Sequence, residues 1–179
     1  MTDLNERLRH LLDLEDIRAC LRRYTRGLDR HDVEMISSAF WPDAQVNYLD
    51  AFSGARDAFV AWGNAHHEAG YVVHQHHITN VNADIDGETA HVESYVLYFL
   101  RTKDDQQNVG SGRYIDKFER RDGDWRIVLR EFLPEMYLSL PVGPRRTVSD
   151  PPGRGRWDRD DISYRRPLQP RAEGHTPDA

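Results

Sequence analysis

The chain has 179 residues, 39% hydrophobic and 30% charged, a soluble globular mix long enough for one domain with its own core. Its 24 basic and 30 acidic residues leave a formal charge of −6, which argues against nucleic acid as the main partner. No run approaches the roughly 20 apolar residues that span a bilayer, and the charged start "MTDLNERLRHLLDLEDIRACLRRY" has no signal-type apolar stretch, so no membrane partner and a cytoplasmic location are expected.

In chain order, Leu4 to Leu28 reads as a helix, with Leu14, Ile17, Leu21, Tyr24 and Leu28 forming one apolar stripe. The single cysteine, Cys20, lies among these positions, cannot form an internal disulfide, and is expected to be a buried thiol. Asp29 lies at the edge of the stripe, where a helix C-terminus mildly disfavours an acid. Asp32 is placed to N-cap a short second helix, Val33 to Phe40. "WPDAQVNYL" supplies a break and a strand over Gln45 to Leu49. "GARDAFVAWGNAHHEAG" predicts a third helix with Ala58, Phe59 and Trp62 buried, ended by Gly70.

The remainder predicts strands: Val72 to Asp84, Thr89 to Arg101, Gly112 to Arg120 and Trp125 to Phe132. They are joined by the turn pairs Asp86-Gly87 and Asp122-Gly123 and by the polar loop "KDDQQN". Helices first, then a strand, a helix and an antiparallel meander, is an α+β pattern with helices packed on a curved, mostly antiparallel sheet. From Gly143 onward the chain holds eight Arg, six Asp or Glu and six of the nine prolines, giving +2 against −8 for the body. Residues 1–142 are therefore read as the folded domain. Residues 143–179 are read as a Pro/Arg-rich arm, extended or partly disordered, whose Trp157 and Tyr164 pack on its own body or on a neighbouring subunit.

The stretch "VHQHHITN" places three histidines in four residues of a strand. Strand alternation sends His74, His76 and Ile78 to one face and His77 to the other. The pair His74 and His76 would suit two metal ligands, with Asp29, Glu93 or another histidine as a third. No His-Glu-x-x-His or comparable motif accompanies them, and no metal is expected. A histidine beside a carboxylate needs less to act as a general base, and Asp29 is the acid best placed to come from the helical layer. His66 and His67, near a helix end, read as surface residues. Arg113 and Asp116 read as sheet-surface or inter-subunit partners.

Three segments, "YTRGLDRHDVEMISSAFWPDAQVNY", "HQHHITNVNADIDGETAHVESY" and "GRYIDKFERRDGDWRIVLRE", resemble the SnoaL-like family of the nuclear transport factor 2-like superfamily, over roughly Leu11 to Leu140. That group includes hexachlorocyclohexane dehydrochlorinase, scytalone dehydratase and bile acid 7α-dehydratase. The resemblance implies a cone-shaped α+β barrel. It also implies a lyase without cofactor, in which His76, four residues before Asn80, is the base. Asp29 orients it, and Tyr24, five residues before the acid, donates a hydrogen bond. Arg130, placed on the same strand face as Arg126 and Val128, is a looser match to an arginine near the pocket. His74, Tyr48, Trp41, Trp62, Tyr95, Arg130 and Phe132 are the expected substrate-binding residues, favouring a small apolar substrate, aromatic or polycyclic. The same dyad would serve an isomerase or cyclase, and the fold also hosts binding modules and the small subunits of ring-hydroxylating dioxygenases. The family implies a homo-oligomer, a trimer before a dimer, in keeping with apolar residues on both faces of Thr89 to Arg101.

Overall fold

A computed structural model describes residues 3–141 and 156–168. Helix α1 (Leu4–Arg30) buries Asp13, Ile17, Cys20, Leu21, Tyr24 and Leu28 along one stripe and ends at His31, whose backbone turns left-handed (φ 51°). Its first third projects, leaving Leu4, Leu8, Leu11 and Leu12 exposed. Asp32 caps α2 (Val33–Ser37) by accepting the Met35 N–H at 3.0 Å. The two helices meet closely because position 27 is glycine: a Cβ there would lie 2.8 Å from Ile36.

The chain continues through β1 (Phe40–Tyr48), β2 (Phe52–Ala55), α3 (Arg56–Gly70), β3 (Tyr71–Asp86), β4 (Thr89–Thr102), β5 (Gln106–Arg121) and β6 (Asp124–Pro141). These strands make one six-stranded sheet in the order β2-β1-β6-β5-β4-β3, antiparallel except for the β1–β6 pair. The helices fill the concave side of this curved α+β cone. Trp125 Nε1–H and the Arg120 guanidinium both donate to Asp13, at 2.8 and 2.9 Å, which pins α1 to the sheet.

Several boundaries differ from the expectation. The second helix stops at Ser37 because Phe40 already pairs with Ile127 of β6. "WPDA" lies inside β1 rather than forming a break ahead of it. The ladder shifts register between Phe40 and Gln45, where Pro42 has no N–H to contribute. Strand β2 has four residues, too few to show periodicity. Strand β5 begins at Gln106 and β6 runs on to Pro141, because the two pair with each other that far, which carries the polar start of β5 into the ladder despite its low strand propensity. A bulge in β6, between the pairs Lys117–Leu129 and Phe118–Ile127, moves Arg130 onto the face of Trp125 and Ile127 rather than that of Arg126 and Val128. Within the arm, the described residues pack on the chain's own body. Trp157 stacks on His31 at 4.0 Å, and the Tyr164 hydroxyl donates to Asp32 at 2.7 Å. The remainder of the arm lies outside the described residues.

Candidate active site

The last turn of α1 brings Asp29 against β3, the edge strand of the sheet. An edge strand leaves N–H groups unpaired, and Asp29 uses this: its Oδ2 accepts the backbone N–H of His76 at 3.1 Å. Its Oδ1 accepts from His76 Nδ1 at 2.7 Å and from His74 Nδ1 at 3.3 Å. An ionised carboxylate only accepts, so the proton of each neutral ring sits on Nδ1, and Nε2 carries the lone pair. Burial pushes the Asp29 carboxyl up, but the hydrogen bonds from His74 and His76 prevail and bring it to about 2.

Beyond Asp29 the histidines continue. His74 is fully buried, and its Nε2 meets Nε2 of His31 at 3.1 Å. His67 lies tilted beside His74 with ring centroids 4.4 Å apart. Burial lowers all three: His67 to about 2, His31 to about 4, and His74 downward against the opposing bond to Asp29. All three are therefore neutral at pH 7. Two triads among the described residues bring a donor atom from each member within 4.8 Å of the others: His31, His67 and His74, and Asp29, His74 and His76.

His76 opens onto a cavity of about 180 Å³ lined mainly by rings, among them Tyr24, Tyr48, Phe59, Trp62, Tyr98, Tyr114 and Phe132. At its floor the Tyr24 and Tyr48 hydroxyls share a hydrogen bond of 2.9 Å. Below them Arg130, fully buried, stacks its guanidinium on Tyr24 and Tyr114 at 4.2 and 4.0 Å and makes two 2.7 Å bonds to Asp116. Burial raises the Tyr24, Tyr48 and Tyr114 hydroxyls, so at neutral pH they are donors rather than bases.

Of the residues expected at the site, His76, Tyr24, Tyr48, Trp62 and Phe132 line the cavity, and Asp29 stands directly behind His76. Four expected substrate contacts do not reach it. His74 is turned away toward His31. Trp41 donates its Nε1–H to the Glu119 carbonyl at 2.9 Å and lies under the guanidiniums of Arg121 and Arg126. Tyr95 points out of the convex face, 38% exposed, by strand alternation. Arg130 is sealed beneath the tyrosines. Asp116, read as a surface residue, is its buried partner, whereas Arg113 does face outward, bridging Glu93 and Glu135.

His67 departs from the surface reading, whereas His66 is exposed as expected. The end of α3 is laid over the cavity, and both residues line it. Tyr98 of β4 and Tyr114 of β5 went unselected because only the strand register shows which face of the sheet each aromatic takes. His76 pairs directly with Tyr98, and Ser94 with Tyr114. Gly110 makes room for Tyr98: a Cβ there would meet its ring at 2.3–2.4 Å.

The SnoaL-like domain family matches residues 9–131, and the chain belongs to that family. Comparison with curated protein sequences finds no match. Among solved structures, a scytalone dehydratase candidate from Novosphingobium aromaticivorans is 23% identical, with TM-score 0.67 over 80% of this chain and 97% of that one. A Mycobacterium tuberculosis protein of unknown function is 26% identical, with TM-score 0.64 over 71% and 74%. A type 3 hexachlorocyclohexane dehydrochlorinase from Novosphingobium barchaimii is 18% identical, with TM-score 0.68 over 77% and 99%. At these identities the dehydratase and dehydrochlorinase likeness is one of fold. No helix among the described residues is long and apolar enough to cross a membrane.

Proposed function

We propose that the chain is a cofactor-independent lyase that eliminates water, halide or a small carbonyl from a small apolar, aromatic substrate. The observation that carries this reading is the Asp29–His76 bond of 2.7 Å, on a histidine that lines an aromatic cavity. His76 Nε2 removes the proton. Asp29 holds the Nδ1–H tautomer and stabilises the imidazolium that forms, the role carboxylates play beside catalytic histidines. Tyr24, in its paired hydroxyls with Tyr48, donates to the leaving group or to a developing oxyanion. Arg130 acts on this step only through the ring of Tyr24. An apolar cavity of roughly 150 Å³ is known to hold benzene, so a space of about 180 Å³ favours a single ring over a polycyclic frame.

The convex face exposes Tyr95, Phe99, Leu129, Met136 and Leu138, a set of apolar side chains on one sheet surface. We read it as the contact of a cytoplasmic homo-oligomer, a trimer before a dimer, and light scattering on the purified chain decides it. The catalytic reading is tested by incubating the protein with single-ring aromatic alcohols and halides and following loss of water or hydrogen halide by mass. Turnover is expected, with His76→Ala lowering it by about 10²–10⁴-fold. Turnover that survives His76→Ala, or none across the panel, overturns it.

A further inference from the structure

We infer that His31, His67 and His74 form a binding site for a divalent late transition-metal ion of the zinc class, distinct from the Asp29–His76 pair that faces the cavity.

The first argument is geometric. Zinc–imidazole bonds of about 2.0–2.1 Å in a tetrahedral site set the ligand nitrogens roughly 3.3 Å apart. His31 Nε2 and His74 Nε2 lie 3.1 Å apart, and one nitrogen of each of the three rings falls within 4.8 Å of the others. The third imidazole therefore needs to close by no more than about 1.5 Å.

The second argument is the support behind the ligands. Metal-bound histidines characteristically donate their other ring N–H to a carboxylate, which fixes the tautomer and raises the basicity of the ligand nitrogen. His74 does this: Nδ1–H faces Asp29 Oδ1 at 3.3 Å, and the lone pair on Nε2 is aimed at His31. The competing triad, Asp29 with His74 and His76, lacks this readiness. There the nitrogens facing the carboxylate carry the protons that bond it, and an ion would have to displace both.

The third argument is that His31 and His74 turn these nitrogens only on each other: His31 Nε2–H donates to His74 Nε2, and an ion would take the place of that one proton. His67 Nδ1 is buried and has no hydrogen-bond partner among the described residues, an expensive state for a polar atom that ligation through Nδ1 would relieve. His31 stands at a helix C-cap with φ 51°, where glycine or asparagine is the ordinary choice. Trp157 stacks on its ring at 4.0 Å and covers part of it. Arg30 is the cation that bears on His74, and its guanidinium is turned toward Asp161 at 3.6 Å.

Three neutral imidazoles with no oxygen ligand suit zinc, copper or nickel and not magnesium or calcium. They leave a fourth position for water. The ion would tie the end of α1, the end of α3 and the edge of β3 together behind His76. A purely structural role is sufficient, and the elimination requires nothing from it.

The test uses the full chain, stripped with a chelator and titrated with Zn²⁺ by calorimetry and with Co²⁺ by visible absorption. One equivalent per chain, tetrahedral Co²⁺ bands and a higher Tm with Zn²⁺ are expected. His31→Asn keeps a residue that tolerates the left-handed backbone and removes the imidazole. It should weaken binding at least tenfold, as should His67→Ala, while His76→Ala retains it. Asp29→Asn should weaken it about 10–100-fold through His74. Absence of saturable binding overturns the inference. So does binding that His31→Asn leaves unchanged, and so does binding that His76→Ala alone abolishes, which would put the ion at the Asp29 triad.

Discussion

Asp29 and Asp116 are shielded carboxylates that face opposite demands. Asp29, at the rim, is 14% exposed, accepts three N–H bonds and is held down at about 2. Asp116, under the floor, is fully enclosed and spends both oxygens on Arg130. Burial raises Asp116, against the pull of Arg130. The partner of Asp29 leaves a nitrogen available on the cavity side. The partner of Asp116 is consumed between the carboxylate and two tyrosine rings. A buried ion pair of that kind holds a core in one arrangement, and a carboxylate–imidazole pair at a cavity wall is arranged to exchange a proton.

The same substitution at both acids breaks the comparison most sharply. Asp29→Asn should leave the fold in place and lower turnover by about 10²–10⁴-fold, because the amide no longer favours the Nδ1–H tautomer or the imidazolium. Asp116→Asn should instead cost about 3–5 kcal/mol of stability in chemical denaturation, because it strands the Arg130 charge in the core. If Asp116→Asn lost activity with an unchanged unfolding midpoint, the floor would belong to the chemistry and the division would fail.

How much of this was legible in the sequence follows the same division. The helix stripe, the hairpin turns and the α+β order could be read because each depends on local periodicity or on a turn pair such as Asp122-Gly123. Asp29 beside His76 was reachable because one sits at a helix edge and the other on a known strand face. Arg130 was misplaced by a single bulged residue, since a slip of one in a strand exchanges its faces. Tyr95 and Tyr98 could not be separated without the β3–β4 register. His67 looked like a surface residue because nothing local shows that α3 ends over a cavity.

Acid should unfold the rim before the floor. His67 titrates at about 2 in the folded chain and at 6.5 as a free side chain. Below pH 6.5 the unfolded state therefore binds a proton that the folded state refuses. Its contribution to stability is complete above pH 6.5 and is lost as pH falls toward 2, at up to about 1.4 kcal/mol per pH unit. Asp29 adds a second loss between its ordinary 3.8 and about 2, of the same sign. Denaturation midpoints measured in chelator from pH 7 to pH 4 should fall steeply in the wild type and less so in His67→Phe. Equal slopes in the two proteins would show that His67 accepts a proton in the folded state.

The smallest effect is expected where the two regions touch. Tyr24 reaches upward with its hydroxyl to Tyr48 at the cavity and downward with its ring to Arg130. Tyr24→Phe keeps the ring contact and removes one hydrogen bond, so stability should fall by only about 1 kcal/mol. If the hydroxyl serves the leaving group or an oxyanion, the loss in turnover must appear in kcat, because that bond strengthens only in the transition state, with KM nearly unchanged. A change confined to KM would make Tyr24 a wall of the cavity and leave His76 and Asp29 to act without it.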